Sequence, residues 1–201
     1  GTLNDKGTMA LSRRGGSGLS VVTAYNARGE EIFLLESGDC YLTVLALDGK
    51  GTRLAAGGVT SGGGALGCAV KLHDMTGRQP AVSLDFADEV LWKLQWCGDE
   101  LLAVTDRGAR VLSAEGTVLQ ETRFAETPTA IAIGSGGQLS ELPLAEMRSQ
   151  LEKAISTGQP VYDELYELNG CKFSASFLPI KGREDNIVMV MQEVKYVHKI
   201  E

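Results

Sequence analysis

Histidine, basic clusters and long apolar runs are scarce in this sequence, and each shortage excludes something. Its 201 residues hold two histidines, His73 and His198, far apart in the chain. Neither lies in a Cys- or carboxylate-rich motif at metal-ligand spacing, nor beside a serine or cysteine motif, so no metal and no catalytic residue is expected. The longest basic cluster is Arg13-Arg14, and the formal net charge is −7. A surface that binds phosphate backbones needs clustered Lys and Arg to release counterions, so no nucleic-acid contact is expected. No apolar stretch has the length of a membrane span, and the first residues lack the charged-then-apolar pattern of a signal peptide. The chain therefore reads as soluble with no membrane contact, an upstream anchor being left open. Cys40, Cys68, Cys97 and Cys171 show no C-x-x-C spacing. They read as small buried hydrophobes of a reducing compartment, which points to the cytoplasm, although spacing alone leaves a disulfide open.

Glycine, by contrast, is abundant: 25 residues, set mainly between short apolar runs, as in turn-rich β proteins. An apolar strand, a short polar turn ending in glycine and a second apolar strand recur three times. The copies join 21–25 to 32–35 across Gly29, 69–72 to 82–84 across Gly77, and 109–112 to 118–120 across Gly116. A second hairpin type alternates with them, turning at Asp48-Gly49 and at Gly98-Asp99. Matching glycines about 40–50 residues apart have the spacing of four-stranded propeller blades. On this pattern one blade ends near Leu35, whole blades span 40–86 and 90–124, and a strand at 129–133 opens the next. Trp92, Leu94 and Trp96 alternate onto one strand face, and both tryptophans are expected to be partly buried between blades. Fewer than four blades cannot close the usual ring, so the blade set is incomplete.

Residues 134–137 read as a glycine-rich joint, after which the pattern changes. Leu144, Met147, Leu151, Ala154 and Ile155 have the spacing of an amphipathic helix, stopped by Gly158 and Pro160. Three strands follow at 161–168, 171–180 and 187–194, with Asn169-Gly170 as a two-residue hairpin signal. Residues 195–201 read as the start of an exit helix. The division is thus 1–133 blade repeats, 134–137 joint, and 138–201 a separate segment.

Two resemblances accompany these patterns. With Asn4-Asp5-Lys6-Gly7, Val44-Leu45-Ala46-Leu47-Asp48-Gly49-Lys50 and Ala103-Val104-Thr105-Asp106, the span 8–124 resembles an uncharacterised bacterial propeller family of the DUF5711 type, which has no assigned catalytic residues. Several segments of 138–201 resemble the second half of a PAS domain, as found in bacterial sigma-54-dependent transcription activators. They are Gln138-Leu139-Ser140-Glu141-Leu142, Ala154 through Glu164, Leu178-Pro179-Ile180 and Met191-Gln192-Glu193-Val194. That resemblance implies three strands forming a wall of a ligand cavity and an outgoing helix that passes a signal on. It lacks the first two PAS strands, most of the helical lid and any following ATPase domain. Both resemblances break off at the same place, as in a joined pair of fragments; a natural fusion that exchanges strands with a second chain is the alternative.

The remaining motifs carry little chemistry. Gly62 to Gly67 matches G-x-G-x-x-G, but a β-run follows it where a dinucleotide site needs a helix N-terminus. His73-Asp74 reads as a solvated turn, and Glu30-Glu31, Asp88-Glu89 and Glu184-Asp185 read as solvated strand ends. The suggestive set is apolar: Phe173, Ala175 and Phe177 alternate on one strand, and Ile187, Met189 and Met191 on its neighbour. These six are the candidate residues of a small-molecule cavity, or else simply a core.

The expectation is a mainly β protein with some α: incomplete propeller-type blades, then a PAS-like helix with a three-stranded antiparallel sheet. The expected role is a non-catalytic sensing or binding module, with no cofactor, that works through a protein partner or as a homodimer. A small-molecule ligand remains open. A ligand-free structural scaffold and a chimeric fragment are the alternatives.

Overall fold

The computed structural model describes residues 1–16, 20–60, 67–124, 127–128, 130–135, 144–168, 171–180 and 186–193. The chain divides into two compact units, Gly1–Ala125 and Glu126–Glu201.

The first unit contains three four-stranded antiparallel sheets, each a meander in chain order. Blade 1 is β1 (Thr2–Leu3), β2 (Met9–Arg14), β3 (Ser20–Tyr25) and β4 (Glu31–Ser37). Blade 2 is β5 (Cys40–Leu47), β6 (Arg53–Thr60), β7 (Gly67–Asp74) and β8 (Val82–Ala87). Blade 3 is β9 (Leu91–Cys97), β10 (Glu100–Thr105), β11 (Gly108–Leu112) and β12 (Val118–Arg123). The second and third follow the expected bounds closely. The first is a complete blade, because β1 and β2 pair in register ahead of the hairpin read from the sequence.

Blade packing follows from strand position. Strands β3, β10 and β11 are buried on both faces and read as near-continuous apolar runs, whereas β4, β8 and β12 alternate between exposed and half-buried residues as outer edges do. Ala10, Val22 and Ala24 of blade 1 pack on Leu42, Leu54 and Ala69 of blade 2. On the opposite face, Ala55, Val70 and Leu72 of blade 2 meet Leu94, Leu101 and Leu112 of blade 3. Backbone ties reinforce the first seam: the Leu42 N–H donates to Ser20 Oγ at 3.0 Å, and Ser12 Oγ donates to the Leu42 carbonyl.

Five turns share one construction. Asn4, Asn26, Asp48, Asp74 and Ser113 each accept backbone N–H bonds onto a side-chain oxygen, and each carbonyl accepts the N–H of a glycine three residues on. Those glycines lie at positive φ, +72° at Gly77 for example, where a side chain would be strained. Each of these turns joins an odd-numbered strand to the following even one, so in a meander all five fall at the same end of the blades.

The second unit's sheet is four-stranded and antiparallel like the others, but it is not a meander in chain order. Its strands are β13 (Ala130–Ser135), β14 (Val161–Leu168), β15 (Cys171–Pro179) and β16 (Asn186–Glu193), in the order β13-β16-β15-β14, with helix α1 (Ala145–Thr157) between β13 and β14. Two expectations are corrected here. The sheet has four strands rather than three. And the strand expected to open a fourth blade is β13, which pairs antiparallel with β16, Ile131 opposite Val190 and Ala132 opposite Met189. The unit boundary therefore falls at 125/126 and not in a joint at 134–137: Gly134 and Ser135 belong to β13, while 136 and 137 lie outside the described residues. Helix α1 ends at Gly158, as its sequence predicts. The exit helix at 195–201 also lies outside the described residues.

Candidate functional site

The turn-bearing end of the first unit carries a cleft of about 400 Å³ between blades 2 and 3. Its floor is Trp96, whose indole Nε1–H donates to the Ala46 carbonyl at 3.2 Å and so ties blade 3 to blade 2. The Arg53 guanidinium lies 5.8 Å from the Trp96 ring centroid and reaches Asp99 at 3.1 Å. Asp74, Arg78 and Glu115 stand on the walls. Asp74 accepts from both the hydroxyl and the backbone N–H of Thr76, which holds its carboxyl below the usual carboxylate range. Arg78 and Glu115 are exposed and make no ion pair with a described residue. The cleft thus offers an aromatic floor and unpaired charges of both signs on a rigid frame.

Several residues expected to be solvated are not. His73 is half-buried, its ring centroid 5.5 Å from that of Phe33 at a 54° tilt, and its Nε2 is buried without a hydrogen-bond partner. Burial, with the Lys71 charge second, lowers its pKa. Glu89 is buried as well. Both of its oxygens receive the Arg110 guanidinium at 2.7 Å, and Oε2 also receives the Thr105 hydroxyl at 2.6 Å. Arg110 reaches Glu121 at 3.0 Å and lies 4.6 Å from the Phe86 ring centroid in blade 2. The Arg110 hydrogen bond leads the causes that hold the Glu89 carboxyl below its ordinary range. Trp92 is exposed, because a bulge between Leu91 and Lys93 breaks the alternation that was to pair it with Trp96.

Other candidates sort simply. Cys40, Cys68 and Cys97 are buried, and burial pushes the Cys68 thiol up to about 12, out of the reactive range. Among the described residues no cluster of three His, Cys, Asp or Glu is placed to hold a metal ion. Gly67 opens strand β7, where a dinucleotide site would need a helix, and residues 62–66, Glu184-Asp185 and His198 lie outside the described residues. No helix of the described residues is long and apolar enough to cross a membrane.

The six apolar candidates of the second unit do share a face. Phe177 lies opposite Met189, Ala175 opposite Met191, and Pro179 opposite Ile187, with Phe173 two residues before Ala175. Ala175, Phe177, Ile187 and Met189 are buried against Met147, Leu151 and Ala154 of α1, with Phe173 and Met191 at the margin. Two polar atoms of this unit are buried without a partner, Tyr166 Oη and Gln150 Oε1. Sequence reasoning singled out neither. Tyr166 stacks near Phe173 with centroids 5.8 Å apart, and burial raises its pKa.

No family model and no curated protein matches the chain, so sequence comparison supports neither family resemblance. Among solved structures it is similar to the β-propeller domain of the Trilobed protease from Pyrococcus furiosus, described as having an open velcro topology. The TM-score is 0.54 at 12% identity over 97% of this chain and 55% of that one. It is also similar to the WD40 repeats of RRP9, with TM-score 0.43 at 12% identity over 61% of this chain and 44% of that one. At such identity the first likeness bears on fold alone, and it agrees with the three meander sheets. This chain spans about half the length of that propeller chain.

Proposed function

We propose that the chain is a non-catalytic binding module that acts through protein–protein contact, with the turn-bearing end of its bladed unit as the contact surface. The observation that carries this is the cleft over Trp96, set among side-chain-stapled turns and walled by the unpaired charges of Arg78 and Glu115. Tryptophan and arginine in a preformed recess are the residue types that anchor protein partners, and loops on a rigid frame commonly carry recognition. Affinity capture with the full chain as bait, run in parallel with Arg78→Glu, tests the reading. A partner retained by the wild type and lost from the variant supports it. Identical captures, or none, overturn it. A second copy of the chain is one such partner, and light scattering at micromolar concentration distinguishes a homodimer from a monomer.

A sensing role for the second unit, of the kind the PAS-type resemblance implies in bacterial signal transduction or transcription regulation, is favoured by one observation. Tyr166 Oη and Gln150 Oε1 are buried and unpartnered in the unit that carries the Phe173, Ala175, Phe177, Ile187, Met189 and Met191 face. Buried polar atoms without partners are costly, and a small polar molecule or water that pairs with them would relieve that cost. A thermal-shift screen of small molecules against the wild type and Tyr166→Phe tests it: a stabiliser that loses its effect in the variant is expected, and no stabiliser at all contradicts the reading.

A further inference from the structure

At the opposite end from the turns, the seam between blades 1 and 2 opens into a second cleft of about 370 Å³. We propose that this cleft binds an anionic group, the carboxylate or phosphate of a partner peptide, with Arg14 as its charge partner. This does not depend on the Trp96 cleft.

Three cations along the blade seams are paired with acids. Lys71 meets Asp39 at 2.6 Å, Arg53 meets Asp99 at 3.1 Å, and Arg110 meets Glu89 at 2.7 Å. Lys71 and Arg110 are equivalent: each lies six residues before a turn glycine, Gly77 or Gly116, and each takes its acid from the connector or strand end just before the first strand of its own blade. Carboxylates therefore neutralise these seam cations in a chain of net charge −7.

Arg14 departs from this pattern. It pairs across the sheet with Ser20, and Ser20 pairs with Ser37. Ser20 Oγ accepts the Leu42 N–H of blade 2, so the row Arg14–Ser20–Ser37 faces blade 2. At the far end of the row Ser37 Oγ receives Lys71 Nζ at 3.1 Å and donates to Asp39 at 2.8 Å, so the charge there is already balanced and Arg14 is the cation of the row left for a ligand. The Arg14 guanidinium makes no ion pair or hydrogen bond with a described residue.

Across the cleft stand Tyr41 and Thr43 of β5. Thr43 is the extra residue of a bulge between Leu42 and Val44, and bulges commonly re-aim side chains at sites of function. Tyr41 is 44% exposed. Neither side chain has a hydrogen-bond partner among the described residues. An unpaired guanidinium with two free hydroxyls opposite it suits an oxyanion, and exposed arginine and tyrosine are the types that anchor acidic partner segments.

The test is fluorescence anisotropy on the full chain with a labelled glutamate-rich peptide, and a separate titration with inorganic phosphate. Saturable binding is expected, weakened about tenfold or more by Arg14→Glu and by salt near 0.5 M. Arg28→Glu, at the turn-bearing end, should leave it unchanged. Arg14 is exposed, so the variant retains the fold, and unfolding curves verify this. The tighter of the two probes identifies the anion as carboxylate or phosphate. Absence of binding to both, or binding that Arg14→Glu does not weaken, overturns the proposal.

Discussion

Arg110 forks onto both carboxylate oxygens of Glu89 at 2.7 Å, with the two side chains only 8% and 7% exposed. Glu89 stands in the connector from blade 2 to blade 3, Arg110 is on the third strand of blade 3, and the guanidinium stacks on Phe86 of blade 2. One ion pair thus fixes the connector and the seam together.

Removing one member of that pair leaves the other charge buried and uncompensated. Arg110→Ala is therefore expected to destabilise the first unit by about 3–5 kcal/mol. Exchanging both residues for apolar ones of similar volume should cost much less than the single change. Urea unfolding of the three variants is the measurement.

The same pair sets a pH dependence. Glu89 has its carboxyl held below the ordinary 4.5 by Arg110. A carboxylate whose folded pKa is lowered contributes stability that is present above its unfolded pKa, and it is lost as pH falls through the folded value. Stability of the wild type should fall with acid below about pH 4.5, and that part of the loss should be absent in Arg110→Ala. Unfolding midpoints measured at acid pH in both proteins settle it.

Lys71 and Asp39 repeat the arrangement one blade earlier, but Asp39 is 73% exposed. Exposed pairs contribute about 0–1 kcal/mol, so Asp39→Asn should be nearly silent where Glu89→Gln is not. A comparable loss from both would contradict the burial difference.

The tryptophans should separate in the same way. Trp96 is packed and hydrogen-bonded to Ala46, whereas Trp92 is exposed. Trp96→Ala is expected to cost about 3–5 kcal/mol and Trp92→Ala well under that. Acrylamide quenching of the Trp92→Phe and Trp96→Phe proteins should show Trp96 protected.

Much of the bladed unit was legible because its turns are local. An Asn, Asp or Ser followed three residues later by glycine closes on itself through hydrogen bonds within five residues or so, and so fixes where strands end. What depends on distant partners was not legible. Strand β1 has only two residues, and β2 shows little alternation, so their pairing is visible only in the assembled sheet. The apolar run of β13 would suit a next blade as well as a new sheet, and β16, more than fifty residues later, decides between them. The shared face of Phe177 and Met189 was readable from period-two alternation, because both strands keep regular register there. Glu89 was read as a solvated strand end because its neighbours in sequence are turn-like; Arg110, which buries it, lies 21 residues away. The recurring cation six residues before a turn glycine, Lys71 and then Arg110, was the one available signal.

The pairing of β13 with β16 tests the two-unit account most directly, and cross-strand NOEs from backbone amide and Hα protons measure it. The account predicts contacts of Ile131 and Ala132 with Val190 and Met189. Contacts of residues 130–135 with β12 instead, as the next strand of a continuing blade array, would contradict it.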